Sequence, residues 1–318
     1  MNNFLDFDRQ IDQMVSEGKI IEAVKVMEEN RYRYPGEDHL ISSNILFCYR
    51  EIKDYRKCFE IIDQEHEKGY FFAFEWEGWD PLRTMPGFTE MNSRNETLRT
   101  EYQTKSKLTW KVHLPADYDS KNKYPLLILL HGDGNGCNIE FFSNQWGPKT
   151  STEKGWITAY VQSSQVSCYK GFGWTQDYGK SRSDIQKAYD QICTEYSVDE
   201  NRIIAGGFSG GSMASLNLLG NGTLPLRGVI TLCPNETEDT ELEKLEKAAE
   251  SGIRVVLLEG ELSGDIEYHK KLMANCKIAG IPAEYTILPG IGHAIPLDID
   301  EKTLEAIEFI IDGNQKTD

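Results

Sequence analysis

The sequence predicts an α/β domain with a mostly parallel central sheet and helices on both faces, preceded by an all-α segment of helical hairpins. Three observations carry this expectation. Hydrophobic periodicity changes near residue 105, from a helical pattern to short β-rich runs alternating with helical ones. The β-rich runs are continuously apolar, Leu126–Leu130 most plainly, as strands covered on both faces are. Helical stretches separate them, the arrangement of parallel strands joined by crossover helices. The expected division is residues 1–104, a helical segment ending in an aromatic joint, and 105–318, the α/β domain. A chain of 318 residues fits one large or two unequal domains.

The first 70 residues carry a weak repeat. One copy reads Gly18-Lys-Ile-Ile-Glu22-Ala23 and the next Lys53-Asp54-Tyr55-Arg-Lys-Cys58. Ala23 and Cys58 are both small, which lets antiparallel helices approach closely, and their spacing is close to the period of about 34 found in tetratricopeptide-type hairpins. About three such repeats are needed for a self-stable array. Two hairpins are therefore expected to lean on the rest of the chain as a scaffold; a groove for a protein partner is the other reading. Tyr70, Phe71, Phe72, Phe74, Trp76 and Trp79 follow, an aromatic density that usually buries an interface and is read as the joint between domains.

Strands are expected at 108–112, 126–130, 156–161, 202–205, 228–232, 254–258 and 283–288. Helices are expected near 183–195, 211–219, 241–251, 267–279 and 301–311.

Composition narrows the function classes. Lys and Arg number 34 against 51 Asp and Glu, a formal net charge of −17. Phosphate neutralisation needs clustered cations, so a nucleic-acid binder is not expected, nor a surface drawn to anionic lipid. No apolar run reaches the roughly 20 residues of a membrane span. The start Met-Asn-Asn-Phe-Leu-Asp-Phe-Asp has neither a basic nor an apolar leader region. Seven cysteines without a CxxC pair read as free thiols of a reducing cytoplasm, with no zinc site. The Asn95, Asn221 and Asn235 sequons are then chance matches. No cofactor or metal is expected.

Chemistry concentrates in three motifs. Gly207-Phe-Ser209-Gly-Gly211 lies between an apolar strand and a helix, the strand–turn–helix setting of a nucleophile elbow. A tight turn lifts the Ser209 hydroxyl from the sheet, and the helix N-terminus favours negative charge developing beside it. Leu130-His-Gly-Asp133-Gly-Asn-Gly136 follows the most apolar strand. Its spacing fails the dinucleotide-binding pattern, and it suits an oxyanion hole formed by the amides of Asp133 and Gly210. His293, in Pro289-Gly-Ile-Gly-His293, follows the last strand and is the one histidine placed after both serine and acid, where it can act as general base.

With these motifs, residues from about 108 to 312 resemble α/β-hydrolase-fold serine esterases of the phospholipase/carboxylesterase-like or dienelactone-hydrolase-like branch. Gln162-Ser-Ser-Gln165 and Gly173-Trp174 add to the likeness, in a region that lies near the acyl pocket of relatives. The whole chain resembles esterases with a tetratricopeptide-like N-terminal segment. The resemblance implies a serine hydrolase that cleaves a small-molecule carboxylic ester through an acyl-enzyme, Ser209 and His293 completed by an acid. It also places that acid where Ser263 stands, within Gly260-Glu-Leu-Ser-Gly-Asp265. Asp265 is the favoured replacement and Glu261 the alternative, with Glu236, Glu238 and Asp239 a third group. A peptidase or thioesterase on the same triad stays open, as does an impaired pseudo-hydrolase serving as an interaction scaffold.

Overall fold

The structure, a computed structural model, describes residues 4–76, 78–264 and 266–313. The chain forms two compact units, Met1–Lys105 with Val166–Lys170, and Ser106–Gln165 with Gly171–Asp318.

The first unit is helical: α1 (Phe4–Ser16), α2 (Ile20–Asn30), α3 (Asp38–Glu51), α4 (Tyr55–Glu67), the short α5 (Asp80–Arg83) and α6 (Phe88–Gln103). The turns joining α1 to α2 and α3 to α4 are the same device. Gly18 and Lys53 both take left-handed φ, +77° and +60°. In each turn the next amide reaches back five residues, Lys19 N–H to Met14 O and Asp54 N–H to Tyr49 O, both at 2.9 Å, as helix ends of this kind do. Ala23 on α2 and Cys58 on α4 occupy matching places and are fully buried. The aromatic run is mostly core of this unit. Phe72, Phe74 and Trp79 pack with Leu46, Cys58, Ile62, Leu82 and Met91, whereas Trp76 is exposed. Asn95 is buried too: its side chain accepts from Phe72 N–H at 2.8 Å and donates to Phe72 O at 2.9 Å, so this sequon serves the fold.

The second unit is built on a seven-stranded sheet. In chain order the elements are β1 (Thr109–His113), β2 (Tyr124–Leu130), α7 (Ile139–Gln145), α8 (Lys149–Glu153) and β3 (Ile157–Gln162). Two short strands follow, β4 (Val166–Cys168), which belongs to the helical unit, and β5 (Gly171–Phe172). Then come α9 (Tyr178–Glu195), β6 (Val198–Phe208), α10 (Gly210–Asn221), β7 (Leu226–Leu232), α11 (Leu242–Ala249), β8 (Arg254–Gly260), α12 (Ile266–Ala279), β9 (Ala283–Leu288) and α13 (Ile299–Asp312). The strand order is β1-β3-β2-β6-β7-β8-β9. Within this sheet, among the described residues, β1 alone runs antiparallel to its neighbour.

Side-chain alternation sorts the core into two layers. Leu126, Ile128 and Leu130 face α9–α12, whereas Leu127 and Leu129 share a cluster with α7 and α13. Helices thus cover both faces, the arrangement the sequence predicts, and every expected strand is present. Parallel register carries one consequence for chemistry. Leu130 pairs with Gly207, Phe208 with Leu232 and Gly260 with Leu288, so the strands end along one edge. The loops that follow them carry all three motifs. Ligand sites in open α/β sheets form beyond the carboxyl ends of the strands.

Candidate active site

Ser209 occupies the turn between β6 and α10 at φ +52° and ψ −118°, a region that costs a side-chain-bearing residue of order 1–3 kcal/mol. The surroundings enforce it. A Cβ at Gly207 would stand 2.5 Å from Gly211 C and 2.8 Å from Leu130 O, so only glycine lets strand and helix pass. Ser209 N–H donates to Leu232 O at 2.9 Å, which anchors the turn on β7. Ser212, one turn into α10, is fully buried beneath; its hydroxyl lies 2.5 Å from Gly207 O and accepts from Leu232 N–H at 2.8 Å. Sequence patterns gave no sign of this brace, because a serine inside a helix reads as neutral.

With the Ser209 amide committed to Leu232, the next amide, that of Gly210, is the first of α10 and has no partner within the helix. The Asp133 loop lies directly against it: a Cβ on Gly210 would collide with the Asp133 carboxylate. Asp133 is itself locked. Its carboxylate accepts from Trp174 N–H at 2.7 Å, Thr175 N–H at 3.1 Å and Thr175 Oγ1 at 2.5 Å. Burial pushes its pKa up, against those three bonds that favour the ionised form. The two residues expected to supply oxyanion amides are therefore neighbours.

His131 is structural. It is fully buried, its Nε2 accepts from Ser163 N–H at 3.1 Å, and its Nδ1 lies 2.6 Å from Gly132 O. Those contacts fit one neutral tautomer, Nδ1–H, and burial pulls its pKa down to about 4. Gln162, Ser164 and Gln165 are also engaged, with Ile139 N–H, Asp184 and Ser181 respectively.

His293 is exposed, on the loop after β9. Its ring centroid is 5.0 Å from that of Phe208, the residue preceding Ser209. That contact brings the histidine beside the elbow. The loops after β8 and β9 are zipped together. Glu261 N–H donates to Leu288 O at 3.0 Å and Leu262 N–H to Ile291 O at 2.9 Å. A Cβ on Gly260 would strike Gly292 O. The Glu261 carboxylate accepts from Gly290 N–H at 2.8 Å, bracing the histidine loop from below. Asp265 lies outside the described residues. Asp239 is spoken for elsewhere, in the wall of a polar cavity of about 400 Å³ beside α10. It takes Asn217 Nδ2 at 2.6 Å and Lys244 Nζ at 2.8 Å; burial alone would raise its pKa, but these partners bring it below the ordinary value. Among the described residues no cluster of His, Cys, Asp and Glu could hold a metal ion, and no helix is long and apolar enough to cross a membrane.

Residues 118–311 match the phospholipase/carboxylesterase family. The chain belongs to that family. Membership agrees with the fold: an α/β-hydrolase of carboxylesterase-like type, with a helical segment ahead of it. An uncharacterized protein from Bacillus cereus ATCC 10987 resembles the chain over 98% of its length and 100% of its own, at TM-score 0.55 and 23% identity. Esterase PE8 covers 64% of the chain, at TM-score 0.52 and 20% identity, over 100% of its own length. Among curated proteins, the dipeptidyl-peptidase 5 of Porphyromonas gingivalis is 33% identical over 121 residues, 36% of this chain and 17% of that protein. The Aspergillus clavatus protein described as a probable dipeptidyl-peptidase 5 is 32% identical over 120 residues, 33% of this chain and 15% of its own length. The matches span about a sixth of those curated relatives.

Proposed function

We propose that the protein hydrolyses a small carboxylic ester with Ser209 as nucleophile. The observation that carries the reading is the elbow, with Ser209 held at left-handed φ above a buried brace and Gly210 pressed against Asp133. Ser209 Oγ attacks the ester carbonyl while His293 takes its proton. The amides of Asp133 and Gly210 hold the resulting oxyanion. Collapse expels the alcohol, which receives the proton from His293. Water, deprotonated by His293, then attacks the acyl-Ser209 ester and releases the acid. Asp265 is the acid that orients His293 in this scheme. Glu261 suits a supporting role, since its carboxylate already holds the Gly290 amide.

A fluorophosphonate probe followed by mass spectrometry tests this. Labelling of folded protein at Ser209, abolished in Ser209→Ala, is the expected result; no labelling, or labelling equal in the variant, rules the reading out and leaves the scaffold alternative. Loss of the orienting acid is expected to cost on the order of 10⁴ in turnover, so Asp265→Asn should fall much further than Glu261→Gln. The local likeness to dipeptidyl peptidases favours one second reading, amide cleavage on the same triad. Parallel assays with a p-nitrophenyl ester and a dipeptide p-nitroanilide separate the two.

A further inference from the structure

Among the described residues of the hydrolase unit, two that are not glycine hold left-handed φ: Ser209 at +52° and Cys233 at +50°. They follow neighbouring strands, Ser209 after β6 and Cys233 after β7. The bond from Ser209 N–H to Leu232 O has a counterpart one strand on, where Cys233 N–H donates to Leu258 O at 2.9 Å. Another lies beyond it, from Glu261 N–H to Leu288 O at 3.0 Å. Such a backbone costs a residue with a side chain of order 1–3 kcal/mol, whereas glycine adopts it without strain. At Ser209 the strain presents the proposed nucleophile. No step above uses Cys233.

The surroundings of Cys233 lead to the base. Its buried side chain belongs to the cluster that contains Leu258 and Leu288, with Phe208, Ile291 and Ile295 packed against it. Phe208 touches the His293 ring, and Ile291 and Ile295 stand two residues to either side of His293. Burial, the largest influence, pushes the Cys233 thiol up to about 12; the Gly260 amide draws it down, the Glu259 carboxylate raises it and the Ala294 amide draws it down. The residue after Cys233 is pinned as well. His269 Nε2 lies 2.9 Å from Pro234 O and His269 Nδ1 lies 3.1 Å from Glu259 Oε2, both side chains being sealed from water. One proton on Nε2 serves Pro234 O, and a second lies between Nδ1 and the carboxylate. Helix α12 thereby holds the ends of β7 and β8 together. Gly260, next to Glu259, receives the histidine loop: a Cβ there would strike Gly292 O, and Leu262 N–H donates to Ile291 O at 2.9 Å.

We propose that Cys233 is a positioning residue for His293: fixed between the buried Glu259–His269 pair and the histidine loop, its side chain sets how the general base stands to Ser209. This role rests on the hydrolase reading above. A displaced base slows the chemical step and leaves ground-state binding alone, so kcat changes and KM does not.

The test uses the full chain, hydrolysis of p-nitrophenyl acetate, and amide hydrogen exchange over residues 290–295. Cys233→Gly relaxes the backbone and removes the thiol. It should fold and lose about 10- to 100-fold in kcat with KM within about twofold, since a misplacement of about 1 Å can cost about 10²-fold. The Ala294 amide, bonded to Gly292 O at 2.9 Å, should exchange faster. Cys233→Ser keeps a small group that donates and accepts, and should recover most of both changes. Should Cys233→Gly not fold, Glu259→Gln, which keeps the shape of that side chain without its charge, is read for the same fall in kcat at constant KM. An active wild type whose variants keep both kcat and the exchange rate overturns the positioning role alone, as does a loss in Cys233→Gly that Cys233→Ser does not recover. A wild type that neither hydrolyses the ester nor takes the fluorophosphonate label overturns the hydrolase reading, and this role with it.

Discussion

Two residues one strand apart show how burial sets chemistry. Ser209 is partly open and strained, and it is the group proposed to react. His131 is sealed and satisfied on both ring nitrogens. Because burial holds the His131 pKa near 4, it is linked to stability. Below pH 6.5 the unfolded chain takes up a proton at this histidine that the folded chain refuses. The His131 contribution is therefore complete above pH 6.5 and is lost as pH falls toward 4, by about 3 kcal/mol in all. Urea unfolding of wild type and His131→Gln at pH 7 and pH 4.5 checks the sign. The stability advantage of wild type over the variant should shrink by about 2–3 kcal/mol at the lower pH; a difference independent of pH excludes the linkage. At this scale the sequence was informative where a motif fixes local geometry, as at the strand–turn–helix setting of Ser209. It was silent on Ser212 and Thr175, whose partners Leu232 and Asp133 are distant in the chain. Nothing in local patterning marks a contact of that kind.

Among the elements, the paired helical turns give the sharpest prediction. Gly18 and Lys53 hold equivalent left-handed positions, but only glycine adopts that conformation without penalty. Lys53 is exposed, so its side chain offers little in return. Lys53→Gly should therefore raise stability by about 1 kcal/mol and Gly18→Ala lower it by about the same amount, both read from denaturant midpoints. Equal and negligible shifts would remove the equivalence. The hairpins were legible because helical periodicity and a repeated turn are local signals. The strands were legible because an apolar run such as 126–130 has no other use in a chain of this composition. Their ends were less so: β6 starts at Val198 and the sequence pattern suggests 202, since Asp199, Glu200 and Asn201 are polar and solvent-facing at the sheet's far end. Membership of the five residues 166–170 in the helical unit was not legible at all. It depends on Gln103, Arg99 and Phe71 finding backbone groups more than sixty residues away.

For the whole molecule, length and charge acquire a joint meaning. Residues 1–100 carry 13 Lys and Arg against 20 Asp and Glu, and the remainder 21 against 31, so both parts are acidic. Excising residues 1–105 would strip residues 166–170 of Gln103, Arg99, Phe71 and Gly36, which bond to Val166, Ser167, Tyr169 and Lys170. Val166 and Cys168, both buried in the intact chain, would meet water. Each fully buried apolar side chain of that size contributes about 1.5–3 kcal/mol. The fragment 106–318 should therefore accumulate less soluble protein and unfold at a lower temperature than the full chain. Supplying residues 1–105 as a separate polypeptide should restore part of the difference, because Tyr70, His39 and Tyr102, whose rings surround that of Tyr169, lie within it. Two acidic pieces repel, and salt screens that repulsion over a distance of about 10 Å at 0.1 M. Restoration should thus improve between 0.02 and 0.3 M salt, roughly a fourfold shorter screening length, as measured by the thermal midpoint. A fragment that is soluble and melts with the full chain would show that the hydrolase unit does not need the helical one to hold residues 166–170.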